Sequence, residues 1–233
     1  MGEMPSNASQ RFGDNTFKSL MFGKLAAPQL VNMLGFDFIF CDVDIVWYRN
    51  PIQFFKEQPK EWDLMFQDDG NRNMGFMPYA ANSGFFYARS NLKTQFFFRN
   101  ALYNAENVQQ WSQQMIFGAL LPEYVSLLGM RVKTLQDTDF PSGFHYHMQK
   151  KYMKQLTEGQ VQPWIFHMHW TKNSAEKKEH MKQTGMWFTR EDGTSCTDLG
   201  CCAQEPIVEC FRPDEPYVPE CEKKSFVYKA KKR

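Results

Sequence analysis

Residues 35–51 read GFDFIFCDVDIVWYRNP, and the reading of this stretch decides the fold. Phe36, Phe38, Ile39, Phe40 and Cys41 make an apolar run that is rich in aromatics and too short to span a membrane. This is the pattern of a strand buried on both faces, as in a parallel sheet covered by helices. The run stops on two carboxylates, Asp42 and Asp44, with one valine between them. Residues two apart in an extended chain point the same way, so both carboxylates address one point at the strand's end. Open α/β sheets bind ligands there. Two carboxylates aimed at one point repel each other unless positive charge sits between them. A hard divalent cation, Mn²⁺ or Mg²⁺, is the usual answer, held by one or two carboxylates together with substrate phosphates. Taken alone, an Asp-x-Asp more often has a plainer role, one Asp capping the next turn and the other solvated. The buried strand before the pair, Trp47 and the Asn50-Pro51 turn after it, and the segments downstream weigh against that role here.

Those segments carry a family resemblance. CDVDIVWYRNP, residues 41–51, resembles the metal-binding segment of the nucleotide-diphospho-sugar transferase family. Asn82-Ser83-Gly84-Phe85-Phe86-Tyr87 is similar to that family's Asn-Ser-Gly strand, and PWIFHMHWTKN, residues 163–173, to its closing segment. The match covers most of residues 16–190 and follows the family in order, algal and protist members in particular. The family has the GT-A glycosyltransferase fold and includes plant cell-wall xylosyl- and arabinosyltransferases. The resemblance therefore implies an α/β class with a Rossmann-type mixed, mostly parallel sheet flanked by helices. It implies Mn²⁺ or Mg²⁺ as cofactor, a nucleotide-diphosphate sugar as donor (a UDP-sugar first among them) and a glycan or glycoprotein acceptor. It also implies a metal-binding His near the end of the core. His167 is the candidate, with His169 the fallback if the register slips.

The chemistry follows from charge. Sugar transfer expels a diphosphate as the sugar gains oxocarbenium character. A divalent cation on Asp44 and His167, with Asp42 on the metal or the ribose, would act as a Lewis acid on that leaving group. Lys172 could add positive charge to the diphosphate, although a solvated lysine is at least as common. Asn82, Ser83 and Gly84 are expected to bind substrate, and Gln114 to line the donor-sugar or acceptor cleft. Family members often carry Asp-Gln where this chain has Gln113-Gln114. Asp68 and Asp69, at the end of another short strand, are then the candidates for a general base or acceptor-binding carboxylate. An inverting transferase needs such a base, whereas a retaining one can use the leaving phosphate.

The chain of 233 residues allows one α/β domain with a real core. A net charge of +1 from 27 basic and 26 acidic residues gives no footprint for nucleic acid. Aromatics at 16%, 22 of them Phe, suggest a core of large rings and a sugar-stacking cleft. No run of about 18 apolar residues predicts a membrane span, and the first residues lack the apolar centre of a signal peptide. Asn7-Ala8-Ser9 is an N-glycosylation triplet of a kind that arises often by chance.

Cys41 reads as an inert core thiol. Cys196, Cys201, Cys202, Cys210 and Cys221 fall within 26 residues of weak hydrophobic periodicity. Such a tail needs staples, and the spacing favours disulfides over zinc. Disulfides agree with the Golgi lumen, and with the membrane-anchored type II protein that the resemblance implies. The expected organisation is a transferase domain over 1–195, lacking the N-terminal part of the fold, and a Cys-rich tail over 196–233. Two other classes stay open: a catalytically inactive sugar- or protein-binding relative, and a Cys-rich secreted interaction module.

In order, the spacing predicts a helix over 14–34, kinked or divided at Pro28. The central strand follows, then a short helix from Pro51, entered by proline at its first position. Strands are expected over 63–66, 83–89 and 130–135, and helices over 92–107, 108–120 and 147–158. The loop 70–78 reads as a mobile flap or a surface connection, and 164–170 as the strand closing the sheet. His145 and His147, like His167 and His169, are spaced to share a face. A four-His zinc site would leave the Asp pair unexplained.

Overall fold

Ala81–Ala88 (β4) is the strand on which the molecule is built, because every one of its residues is buried. The computed structural model describes Ser9, residues 13–106 and residues 112–188. On either side of β4 lie β1 (Phe38–Cys41) and β3 (Leu64–Asp68), both antiparallel to it. β5 (Val132–Thr134) pairs with β3 in parallel, completing the order β1-β4-β3-β5. A second, two-stranded sheet pairs β2 (Ile45–Trp47) antiparallel with β6 (Ile165–His167).

The mixed α/β sheet flanked by helices is the expected class, but it is not mostly parallel. Among the described residues the parallel strand pair is β3–β5. The doubly buried strand is β4 rather than 36–41. β1 lies at the edge, its residues half-buried, and Cys41 is exposed instead of sitting in the core. Residues 164–170 do not close the first sheet; their strand belongs to the second.

Alternation along β4 sends successive rings to opposite sides. Phe86 packs among Phe40, Phe66, Phe98 and Phe117, with ring centroids 5.2–5.9 Å apart. That face is covered by α1 (Asn15–Met33), α3 (Leu92–Tyr103) and α4 (Gln113–Leu128). Phe85 and Tyr87 face the other way, against α2 (Pro51–Glu57), Phe140 and the inner residues of the second sheet. The outer side of the second sheet, Val46 and Phe166, is sealed by α5 (Gly143–Met148), α6 (Lys150–Thr157) and α7 (Ser174–Gln183). Full burial of each large ring contributes about 1.5–3 kcal/mol.

Helix α1 starts where Asp14 accepts the Phe17 N–H at 2.7 Å, and it runs on through Pro28 as one helix. Its buried face is Met21, Leu25, Pro28, Gln29 and Asn32, while Leu30 and Leu34 of the expected apolar stripe are exposed. α2 begins with Pro51 after an Asn50 cap, as read from the sequence. α3 ends at Tyr103, and residues 107–111, with the expected start of the next helix and Trp111, lie outside the described residues. The helix expected over 147–158 divides at Gln149 into α5 and α6. The Cys-rich tail also lies outside the described residues.

Candidate functional site

The chain crosses from the first sheet to the second between β1 and β2, and the Asp-Val-Asp segment is that crossing. Both sheets pin it. The Asp42 N–H donates to Gly84 O at 2.7 Å, and Asp44 O accepts the Met168 N–H at 3.1 Å. Val43 between them is fully exposed, so both carboxylates turn inward. Register does the rest. Ile45 pairs with His167, which brings the last residue of β6 beside Asp44.

His167 Nε2 lies 3.4 Å from Asp44 Oδ1 and 4.0 Å from Asp42 Oδ2. One ligand atom from each of the three residues falls within 4.8 Å of the others. His169 is not in this group. It packs edge-on against His167, with centroids 4.8 Å apart. Burial drives its pKa well below the imidazole range. Its two ring nitrogens are buried without a hydrogen-bond partner. No four-His site assembles among the described residues. His145 faces Asp137, and His147 Nε2 meets Trp170 O at 3.0 Å.

Gln67 orients His167. Its amide N–H₂ donates to Phe140 O and Pro141 O, each at 2.9 Å, which leaves Oε1 to accept from His167 Nδ1 at 2.8 Å. A slip in register between Phe66 and Gln67 places this residue, since Phe66 pairs with Phe86 and Gln67 with Asn82. With the proton on Nδ1, the Nε2 lone pair points at two carboxylates. That arrangement needs a cation, or a second proton, between them. Gly84 makes room for it. A Cβ there would lie 2.5 Å from His167 Cε1 and 2.6 Å from Asp42 Oδ2.

Two lysines complete the electrostatics. Lys24 Nζ of α1 contacts both oxygens of Asp42, at 2.8 and 2.9 Å. Lys177 Nζ of α7 holds Asp44 Oδ2. Burial would raise the pKa of Asp44, but the facing His167 and Lys177 overcome it and hold the carboxyl far below the usual carboxylate range.

Beside the Asp-Asp-His group lies a network around Asp69. Asn82 Nδ2 donates to Asp69 Oδ1 at 2.8 Å and Gln114 Nε2 at 2.9 Å, while Trp170 Nε1 approaches Oδ2 at 3.4 Å. Gln114 Oε1 accepts from Ser83 N and Oγ at 3.0 and 3.2 Å, and Asn82 Oδ1 accepts the Gly84 N–H at 2.8 Å. Both groups line one cavity of about 350 Å³, with Trp170 exposed at its wall. A second groove, of about 760 Å³, adjoins it along α1 and residues 171–174, and Lys24, Asp42, Asp44 and Lys177 line both.

The expected residues therefore converge, with two exceptions. Asp68 turns away from the cavity lining into a two-pronged pair with Arg72, both contacts 2.8 Å, and also accepts the Gly70 N–H. Lys172 is exposed and lines the second groove, and the lysines on the carboxylates are Lys24 and Lys177. Gln67, Lys24, Lys177 and Trp170 were not legible as site residues. The signal for Lys177 was weak: a lysine in the first turn of the helix that follows the segment carrying the histidine.

A profile of the nucleotide-diphospho-sugar transferase family matches residues 2–181. A UDP-galactose:fucoside alpha-3-galactosyltransferase of Dictyostelium discoideum is 22% identical over 204 residues, 80% of this chain and 31% of that protein. A beta-arabinofuranosyltransferase, RAY1, of Arabidopsis thaliana is 22% identical over 188 residues, 76% of this chain and 35% of that protein. The chain thus spans about a third of the length of these curated relatives.

Proposed function

This chain belongs to the nucleotide-diphospho-sugar transferase family, and from that premise we propose that it carries the donor-activating site of a glycosyltransferase. The enzyme moves a sugar from a nucleotide diphosphate to a glycan or glycoprotein acceptor. The observation that carries this reading is the convergence of Asp42, Asp44 and His167. Two carboxylate oxygens and an imidazole nitrogen suit Mn²⁺ or Mg²⁺, Mn²⁺ the better for its tolerance of nitrogen. The Gly84 cradle and the orientation set by Gln67 support the fit. When bound, the cation supplies Lewis-acid stabilisation to the departing diphosphate.

The chain's own residues do the rest. Asp42 and Asp44 hold the charge at the junction of the two sheets, where backbone bonds to Gly84 and Met168 fix their direction. Asn82 and Gln114 hold Asp69 in place, and its carboxylate orients hydroxyls of a sugar in the 350 Å³ cavity. The 760 Å³ groove is within the size range of small-molecule sites and takes the nucleoside side of the donor. A UDP-hexose donor is in keeping with the name of one relative, and a pentose as the transferred sugar with that of the other. The cysteines of the tail support a secretory-pathway setting, the Golgi lumen, for the whole protein.

The test is binding and turnover of UDP-sugars by the purified chain with and without Mn²⁺. Cation-dependent binding that Asp44→Ala abolishes is expected. UDP-sugar binding indifferent to chelator and to Asp44→Ala would overturn the proposal.

A further inference from the structure

Lys24 and Lys177 form ion pairs with Asp42 and Asp44, the same carboxylates that make up the cation site. The four side chains sum to zero charge, two ammoniums against two carboxylates. A divalent cation arriving alone takes this cluster to a charge of plus two. A nucleotide-sugar diphosphate, with two negative charges, arriving alone takes it to minus two. A cation that takes the carboxylates leaves both ammoniums without partners in a partly desolvated cleft, and a diphosphate arriving with it supplies partners for both. Asp69, in the same cavity, adds one negative charge to every state and leaves unchanged which ion pairs are broken and made.

Geometry gives the lysines somewhere to go. Each is partly exposed, 19% for the Lys24 side chain and 31% for that of Lys177, and both line the sugar cavity and the adjoining groove. A diphosphate joining a nucleoside in the groove to a sugar in the cavity would lie along the lining that both lysines share.

We infer that Lys24 and Lys177 are exchange cations: they neutralise Asp42 and Asp44 while the site is idle, and pass to the diphosphate oxygens when a cation takes the carboxylates. Cation and nucleotide then bind cooperatively, and the lysines add to the coupling that attraction between cation and diphosphate already supplies. The inference rests on the metal-site reading above and adds the diphosphate ligands and the linkage.

The experiment measures Mn²⁺ affinity by the electron paramagnetic resonance signal of free Mn²⁺, with and without UDP, against a protein-free Mn²⁺–UDP control. For the unaltered chain, UDP is expected to tighten Mn²⁺ binding by at least about tenfold, within the usual range of coupling between sites. By linkage, Mn²⁺ must tighten UDP by the same factor. Lys177→Gln and Lys24→Gln should each bind Mn²⁺ alone several-fold tighter, because a competing charge is gone, and should each show a smaller tightening by UDP than the unaltered chain. Lys177→Arg should keep the coupling, and thermal melts certify that each variant is folded. A lysine with a merely structural role predicts weaker Mn²⁺ binding in both conditions, and that result overturns the inference. So does coupling that survives both Gln variants intact. Failure of the unaltered chain to bind Mn²⁺ with or without UDP would instead sink the metal-site reading itself, a distinguishable outcome.

Discussion

Gln67 fixes the tautomer of His167. Its amide hydrogens are committed to the Phe140 and Pro141 carbonyls, so its oxygen must accept from Nδ1, and Nε2 is left to face Asp42 and Asp44. Outer partners of this kind commonly tune cation affinity by about 10–100-fold. Gln67→Leu should weaken Mn²⁺ binding by that order. It should also destabilise the fold by about 1–3 kcal/mol, because two buried carbonyls lose a donor. Mn²⁺ titration and a urea melt check the two effects separately. Unchanged Mn²⁺ affinity in a folded variant would show that the histidine needs no such support.

Gly84→Ala tests the cradle. The backbone there is ordinary extended strand, so alanine is conformationally acceptable, but its methyl would lie 2.5 Å from the His167 ring and 2.6 Å from Asp42 Oδ2. The expected outcome is a folded protein with Mn²⁺ affinity reduced by at least about tenfold and an overpacking cost of about 1–3 kcal/mol. Circular dichroism and Mn²⁺ titration together decide it.

Tyr87 makes the fold sensitive to alkali. Its hydroxyl donates to Asp37 Oδ2 at 2.7 Å. Burial first, and then the bond to Asp37 and its charge, push the pKa up to about 12. An unfolded tyrosine ionises near about pH 10. Between those values the folded chain keeps a proton that the unfolded chain has lost. The contribution is therefore complete below about pH 10 and disappears as pH rises through about 12. Urea midpoints should fall over that window, and more shallowly in Tyr87→Phe. Equal slopes in the two proteins would exclude Tyr87 as the cause.

Much of the site was legible because its logic is local. Asp42 and Asp44 are two apart just past a strand end. Residues 43 and 44 form a turn instead of the expected extended chain, yet the exposed Val43 between them still leaves both carboxylates facing inward. The reading failed where pairing decides. Phe38, Ile39 and Phe40 form as apolar a run as Phe85 to Ala88, and only strand order makes one the edge and the other the centre. Cys41 is exposed for the same reason. Asp68 and Asp69 were indistinguishable in sequence, since adjacent strand-end residues face opposite ways and the register slip after Phe66 selects which one looks inward. Lys24 and Lys177 lie 18 and 133 residues from their partners, too far for any local pattern to pair them.

Trp170 separates stability from function. It is the bulky residue held at φ 62°, in the left-handed region that strongly disfavours large side chains and costs about 1–3 kcal/mol. Its indole is 40% exposed, packs edge-on to Phe144 at 5.6 Å and donates toward Asp69. Glycine relieves the backbone strain and alanine does not, while both remove the ring. Trp170→Gly should therefore melt higher than Trp170→Ala, by an amount equivalent to about 1 kcal/mol. If the ring stacks on a sugar at the cavity wall, both variants lose transfer activity alike, with KM for the sugar partner raised and UDP affinity nearly unchanged. Trp170→Phe should recover part of it, keeping a stacking face without the donor to Asp69. A Gly variant that is both the more stable and fully active would show that the strain serves nothing in this cavity. Loss of UDP affinity in step with activity would place Trp170 on the nucleotide instead of the sugar.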